Sequence, residues 1–211
     1  MKPRRPTYHG SFRGSAGYRI QRHTTPITNA FVVSGHVVEN NQRMYNSNGD
    51  FLGTGSNRSV HYDSTILTLS SNVVTSNIPY GLTRVSELVP TVRTPVVGQT
   101  AVMLGGGTGL PIRNGRIVFL GAELVPAPGF RISAVLATYC SRNGDSGGIV
   151  WNAATGQILG IHSARRAMPT NTTESGGCQC DGCHGALQNW AAGFSPAGGI
   201  NRANGTIWRM H

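Results

Sequence analysis

Ser146 lies within Gly144-Asp145-Ser146-Gly147-Gly148, with small residues on both sides. This is a setting in which a hydroxyl can become a nucleophile. A serine hydroxyl attacks poorly at neutral pH unless a base takes its proton and donors hold the oxyanion that forms on the attacked carbonyl. Glycine at 144 admits positive φ, so the N–H groups of Gly144 and Ser146 are expected to form that oxyanion hole. Gly147 and Gly148 then leave room for a substrate. A base is available. Phe31-Val32-Val33-Ser34-Gly35-His36-Val37-Val38 reads as a buried strand closed by a glycine and a histidine. An imidazole at the end of a rigid strand is held in the way that proton transfer requires. The acid partner follows from the setting of the four aspartates. Asp145 belongs to the serine motif, Asp50 sits in the Asn/Gly-rich stretch from Asn46 to Gly53, and Asp181 lies among cysteines. Asp63 alone leads into a β-rich segment, Ser64 to Leu69, where it is expected to be buried and to orient an imidazole.

The elements that must position these residues read as strands. A chain of 211 residues suffices for one domain or two small packed barrels, and 29 glycines suit a turn-rich all-β protein. Strand candidates separated by turn signals are Tyr18–Ile20, Phe31–Val33, Ile66–Leu69, Thr100–Leu104, Gly115–Leu120, Ile132–Leu136, Gly148–Trp151 and Ile158–His162. The one helix candidate is Ala186–Ala192. Pro90 to Pro95 marks a boundary between two units, and no solenoid-type repeat is visible.

The order His36, Asp63, Ser146 and the residues around each resemble the chymotrypsin-fold serine proteases. The nearest likeness is to the streptogrisin and glutamyl-endopeptidase branch, with the virus-encoded chymotrypsin-like proteases next. Ser34-Gly35-His36 resembles that family's Ala-Gly-His signature, and Asp63 with Ile66-Leu67 resembles its Asp-x-x-Ile/Leu-Leu segment. The stretch from Val96 through Gly106-Gly107-Thr108-Gly109 to Val118 resembles the strand–turn–strand that opens its second barrel. The likeness runs from about Gly17 to Ser163.

The resemblance implies an all-β fold of two six-stranded antiparallel β-barrels with a short C-terminal helix. Residues 1–11 would be a basic tail, and 12–92 an N-terminal barrel carrying His36 and Asp63. Residues 93–211 would be a C-terminal barrel carrying Ser146 and the specificity pocket, with a C-terminal extension. It also implies a Ser-His-Asp endopeptidase acting on peptides or proteins without a cofactor. In that family the strand holding Gly160-Ile161-His162-Ser163 forms a pocket wall. Ser163 matches the serine that hydrogen-bonds the catalytic aspartate. His162 stands where glutamate-specific and many viral members bind a carboxylate or amide, so cleavage after Glu, with Gln or Asp next, is expected. Ser141 is placed as a second polar wall, with Thr138 and Arg165 as further substrate-binding candidates. Three departures stand out. Val37 follows His36 where cysteine is usual, Arg165 replaces a glycine, and no Ile/Val N-terminus is present to pair with Asp145. An internal arginine is expected to pair with Asp145 instead.

Charge and cysteines bound the remaining readings. The net charge is +10, with Lys2 the only lysine. The arginines are scattered with no aromatic-studded basic stripe, which leaves nucleic acid as a secondary, electrostatic partner. No apolar leader or membrane-spanning run is visible, so no membrane partner is expected. A mature segment of a secreted precursor and a virus-encoded, polyprotein-processing protease in a host cell are both compatible, and a basic RNA-binding or capsid-like protein whose protease fold cuts only itself is the rival from another class. Cys178, Cys180, Cys183 and His184 form a tight cluster that could bind zinc, although its spacing is crowded. The resemblance implies instead a disulfide between Cys140 and one cysteine of that cluster, as befits an oxidising compartment. Free thiols are the third alternative.

Overall fold

The structure, a computed structural model, describes residues 14–22, 27–46, 48–73, 88–167, 190–204 and 208–210. The proposed tail, the cluster Cys178, Cys180, Cys183 and His184, and residues 186–189 lie outside them. The described chain is almost wholly β. The first sheet is built from β1 (Arg19–Arg22), β2 (Thr28–Ser34), β3 (Arg43–Tyr45), β4 (Phe51–Ser59) and β5 (Ser64–Leu69). The second uses β6 (Val89–Val92), β7 (Thr100–Leu104), β8 (Ile112–Leu124), β9 (Ile132–Ala137), β10 (Ile149–Asn152), β11 (Gln157–Ala167) and β12 (Trp190–Pro196). A helix, α1 (Ala197–Ala203), and a last strand, β13 (Trp208–Met210), complete the chain.

The first sheet has the order β13-β1-β2-β5-β4-β3 and the second β10-β7-β8-β9-β12-β11-β6. Pairing of β10 with β11 closes six strands of the second sheet into a barrel. These pairs are antiparallel; β6 is an added seventh strand, parallel to β11. The expected all-β, two-sheet fold with a short helix is therefore present, with two differences. The second sheet carries the extra parallel strand, and the first is completed by a strand from the far end of the chain. The division at 92/93 groups Val89–Val92 with the N-terminal residues, yet these residues hydrogen-bond to β11 of the second sheet.

Both faces of β2 are buried, and this is why its sequence is an unbroken apolar run rather than an alternating one. Ala30 and Val32 enter a core shared by the two sheets, with Ile20, Ile66, Val102, Ile149, Trp151, Ile161 and the helix residue Ile200. Val33 turns to the other side, against Val37, Val38 and Leu67. The interior of the closed barrel is filled by Met103, Ile117, Val135, Tyr139, Val150, Leu159 and Phe194.

Of the helix expected at Ala186–Ala192, only Trp190–Ala192 lie among the described residues, and they are not helical. Trp190–Ala192 open β12, and α1 begins at Ala197. Alanine is the strongest helix former, but intrinsic propensity is a small bias, and pairing of Ala191 and Ala192 with Arg166 and Arg165, with both alanines buried, overrides it. Strand β4 was hidden by its Gly, Ser and Asn content. Gly55 permits a close backbone crossing there, since a Cβ would stand 2.2 Å from the Glu39 carbonyl oxygen.

Candidate active site

His36, Asp63 and Ser146 meet between the two sheets. His36 follows the end of β2, and its imidazole Nδ1 lies 2.7 Å from Asp63 Oδ2, while its backbone N–H donates to Asp63 Oδ1 at 2.8 Å. Asp63 is fully buried, and its φ of 43° places it in the left-handed region. Aspartate tolerates that region better than most residues. The turn between β4 and β5 thereby presents the carboxylate to the imidazole. Ser163, buried on β11, donates its hydroxyl to the same Oδ2. Three donors thus offset the cost of burying this carboxylate.

With Nδ1–H committed to Asp63, His36 Nε2 is left as an acceptor, 3.1 Å from Ser146 Oγ. The Ser146 hydroxyl has a second acceptor, the Ser163 carbonyl, also at 3.1 Å. Such bonds tighten when a reacting carbonyl arrives. His36 retains 11% side-chain exposure, so its Nε2 edge can reach a ligand. Phe130, in the turn before β9, sets its ring edge-on to His36 with centroids 6.3 Å apart. Arg58 of β4 lies 4.8 Å above the Phe130 ring and donates through Nε to the Gly35 carbonyl at 2.7 Å. That cation–π contact ties the second sheet to the loop that carries His36.

The nucleophile loop turns as its glycines suggest, with φ of 96° at Gly144 and 89° at Gly147. The N–H groups of Gly144 and Ser146 donate to no acceptor among the described residues, which leaves both for an oxyanion. Asp145 is fully buried, and among the described residues no arginine side chain pairs with it. Its Oδ2 accepts the Arg142 backbone N–H at 2.6 Å, and its Oδ1 accepts the Thr108 N–H at 2.8 Å. The expected guanidinium is replaced by peptide donors because the 105–108 turn packs directly on the carboxylate. A Cβ on Gly105 would stand 2.4 Å from Asp145 Oδ1.

The other sequence-derived candidates divide. His162 is 3% exposed, and its Nδ1 lies 3.2 Å from the hydroxyl of buried Tyr139. Burial, helped by the charges of Arg165 and His36, lowers the His162 pKa to about 3. Burial likewise raises that of Tyr139. The tyrosine therefore stays protonated and donates to Nδ1, so the neutral imidazole carries its proton on Nε2. Ser141 is buried with its hydroxyl unpartnered, consistent with a group awaiting a ligand. Ser163, a substrate-binding candidate as well, donates its hydroxyl to Asp63, the bond that its match to the family serine implies. Thr138 accepts the Arg116 N–H at 2.9 Å and is tied to β8. Arg165 is exposed on β11, opposite Ala192. Cys140 is disulfide-bonded. Among the described residues no group of three or more His, Cys, Asp or Glu could hold a metal ion.

Sequence reasoning missed Tyr139, Phe130, Arg58 and Ser15. Each works through a partner remote in sequence, and none belongs to a motif.

No protein-family model matches the sequence, and no curated protein matches it. Solved structures do resemble it. Thermobifida fusca protease A superposes with a TM-score of 0.71 at 18% identity, covering 96% of this chain and 94% of that one. A glutamic acid-specific serine protease gives 0.68 at 20% identity, covering 94% and 93%. Cellulomonas bogoriensis chymotrypsin gives 0.65 at 21%, covering 94% and 91%. Identities this low speak for the fold alone, and they agree on it along nearly the whole chain. The chain has the double-barrel fold of the chymotrypsin-like serine proteases.

Proposed function

We propose that this protein is a serine endopeptidase that works through an acyl-enzyme. The observation that carries the reading is the line Asp63–His36–Ser146 ending beside two unengaged N–H groups, those of Gly144 and Ser146. In the proposed reaction Ser146 Oγ bonds to the scissile carbonyl carbon, its proton passes to His36 Nε2, and the carbonyl electron pair moves to the oxygen. The two N–H groups hold that oxyanion. His36 then gives its proton to the leaving amine, and Asp63 stabilises the imidazolium in between. Water repeats the sequence to free the acyl product.

His162 is the proposed selector of the residue before the cut. A side chain entering a half-buried pocket must exchange water for protein donors, or its desolvation goes uncompensated. His162 offers Nε2–H and Ser141 a free hydroxyl, with Arg165 supplying positive charge nearby. These suit a terminal carbonyl oxygen, that of Glu first, then Gln or Asp. The similar glutamic acid-specific protease uses a histidine triad in substrate binding. Here the imidazole is backed by the Tyr139 hydroxyl. A neutral imidazole serves carboxylate and amide alike, so the preference for Glu over Gln rests on the Arg165 charge, which does not titrate near neutral pH. Expected behaviour is therefore a preference for Glu over Gln that stays flat from about pH 6 to 9, since His162 does not titrate there.

The test is a peptide-library cleavage profile at both ends of that range, with Ser146 identified by fluorophosphonate labelling. Labelled protein that cuts mainly after Lys, Arg or large aromatic residues would refute the specificity. Failure to label would refute the protease.

A further inference from the structure

We propose that Ser15 is a positioning residue for the oxyanion hole, which makes the segment before β1 a working part of the nucleophile loop. The inference rests on the protease reading above. Three successive carbonyls around the nucleophile are engaged. The Gly144 carbonyl accepts the Ser15 hydroxyl at 2.6 Å, the Asp145 carbonyl accepts the Gly148 N–H at 2.7 Å, and the Ser146 carbonyl accepts the Ser15 N–H at 2.7 Å. Ser15 therefore supplies two of the three restraints.

In a trans peptide the C=O and N–H point in opposite directions, so fixing a carbonyl also fixes the N–H of the next residue. The Asp145 carbonyl bond thus aims the Ser146 N–H. Gly144 N–H is different, because it belongs to the peptide before Gly144, and glycine at φ 96° can swivel between its two flanking peptides. Only the peptide after Gly144 is gripped, through its carbonyl by Ser15 and through the Asp145 N–H by the Arg142 carbonyl at 3.1 Å. The Asp145 N–H bond to Arg142 closes a four-residue turn around the Asn143–Gly144 peptide, and the Ser15 hydroxyl holds the far end of that turn, which limits the swivel. Without that hydroxyl the turn loosens, and the Gly144 N–H can turn away from the oxyanion.

Ser15 is itself anchored. Gly106 N–H donates to its Oγ at 2.6 Å, so a chain of donors runs from the 105–108 turn through Ser15 to Gly144. The same turn holds the Asp145 carboxylate through Thr108. The backbones touch as well, since a Cβ on Gly147 would stand 2.2 Å from the Ser15 carbonyl oxygen. An uncharged serine upstream of the first strand thus helps to order the loop without an ion pair to Asp145.

The test uses a peptidyl trifluoromethyl ketone, which adds Ser146 Oγ to its carbonyl carbon and places the hemiketal oxyanion in the hole. Fluorine NMR reads the pKa of that hemiketal. Loss of a single oxyanion donor costs about a hundred- to thousand-fold in kcat, so loosening one by Ser15→Ala should lower kcat about ten- to hundred-fold. KM should stay nearly unchanged, and the hemiketal pKa should rise. Ser15→Thr, which keeps the hydroxyl, should restore both readouts. Ser15→Ala with wild-type kcat and hemiketal pKa overturns the inference, and so does lost kcat with an unmoved hemiketal pKa. If Ser15→Ala does not fold, the Thr and Val variants are compared, as they match in shape and differ in the hydroxyl; equal hemiketal pKa values in that pair overturn the inference. Wild-type protein that forms no hemiketal overturns the protease reading itself.

Discussion

At the scale of single residues, the site separates groups that carry the reaction from groups that fix their state. Tyr139 belongs to the second kind, holding the His162 tautomer through one hydroxyl. Burial of His162 also has a consequence for stability. Its pKa is lowered to about 3 in the folded protein, against about 6.5 when unfolded, so between those values the unfolded chain binds the extra proton. Stability contributed by keeping His162 neutral is complete above about pH 6.5 and is lost as pH falls toward 3. Urea denaturation of the wild type and of His162→Asn at pH 7 and pH 4.5 checks this. The wild type should lose more stability over that interval than the variant, and equal losses would refute it. The sequence made His36, Asp63 and Ser146 legible because each stands in a local pattern: a strand end, a strand start and a glycine-lined turn. Tyr139 and Ser15 had no such signal. Their partners lie 23 and 129 residues away, and only the fold brings them together.

Among the elements, α1 and the segment holding Cys140 each bear on the site. Helix α1 packs Ile200 into the core shared by the sheets, and Asn201 accepts the Tyr18 hydroxyl at 3.1 Å. At Gly199 the helix lies directly on the Tyr62 ring, where a Cβ would stand 2.2 Å from the ring carbon Cε1. Tyr62 adjoins Asp63, so crowding there should disturb both stability and the His36 partner. Gly199→Val is expected to lower stability by about 1–3 kcal/mol, as overpacked sites do, and to reduce kcat. Thermal denaturation and steady-state kinetics would read both, and an unchanged Tm would contradict the packing account. Cys140 is disulfide-bonded, one residue before Ser141. Reduction should cost roughly 2–4 kcal/mol and loosen the pocket wall. Denaturation with and without reductant measures this, and an unmoved midpoint would contradict it. Elements rich in Val, Ile and Leu were legible because burial on both faces leaves a continuous apolar run. Strand β4 and the start of β12 were not, because Gly, Ser and Ala enter those strands for close approach rather than by preference.

At the scale of the molecule, the proposed reaction depends on the joint between two sheets. His36 and Asp63 come from the first, whereas Ser146, Ser163 and His162 come from the second. The chain crosses between the sheets at both ends. Ser15 reaches from the segment before β1 to the nucleophile loop, and β13 returns from the far end of the sequence to pair with β1. Local patterns do not specify such long-range pairings, which is why β13 joining the first sheet and β6 joining the second were not legible. The central claim is that this joint makes Ser146 a nucleophile. The most direct measurement is intact-protein mass spectrometry of the wild type and Ser146→Ala after brief mixing with a slowly deacylating ester of a glutamyl peptide, with peptide turnover followed in parallel. One acyl group is expected on Ser146 in the wild type and none in the variant, with a loss of turnover on the order of a million-fold. Acylation at another residue, or a variant that still hydrolyses peptides at the wild-type rate, would contradict it.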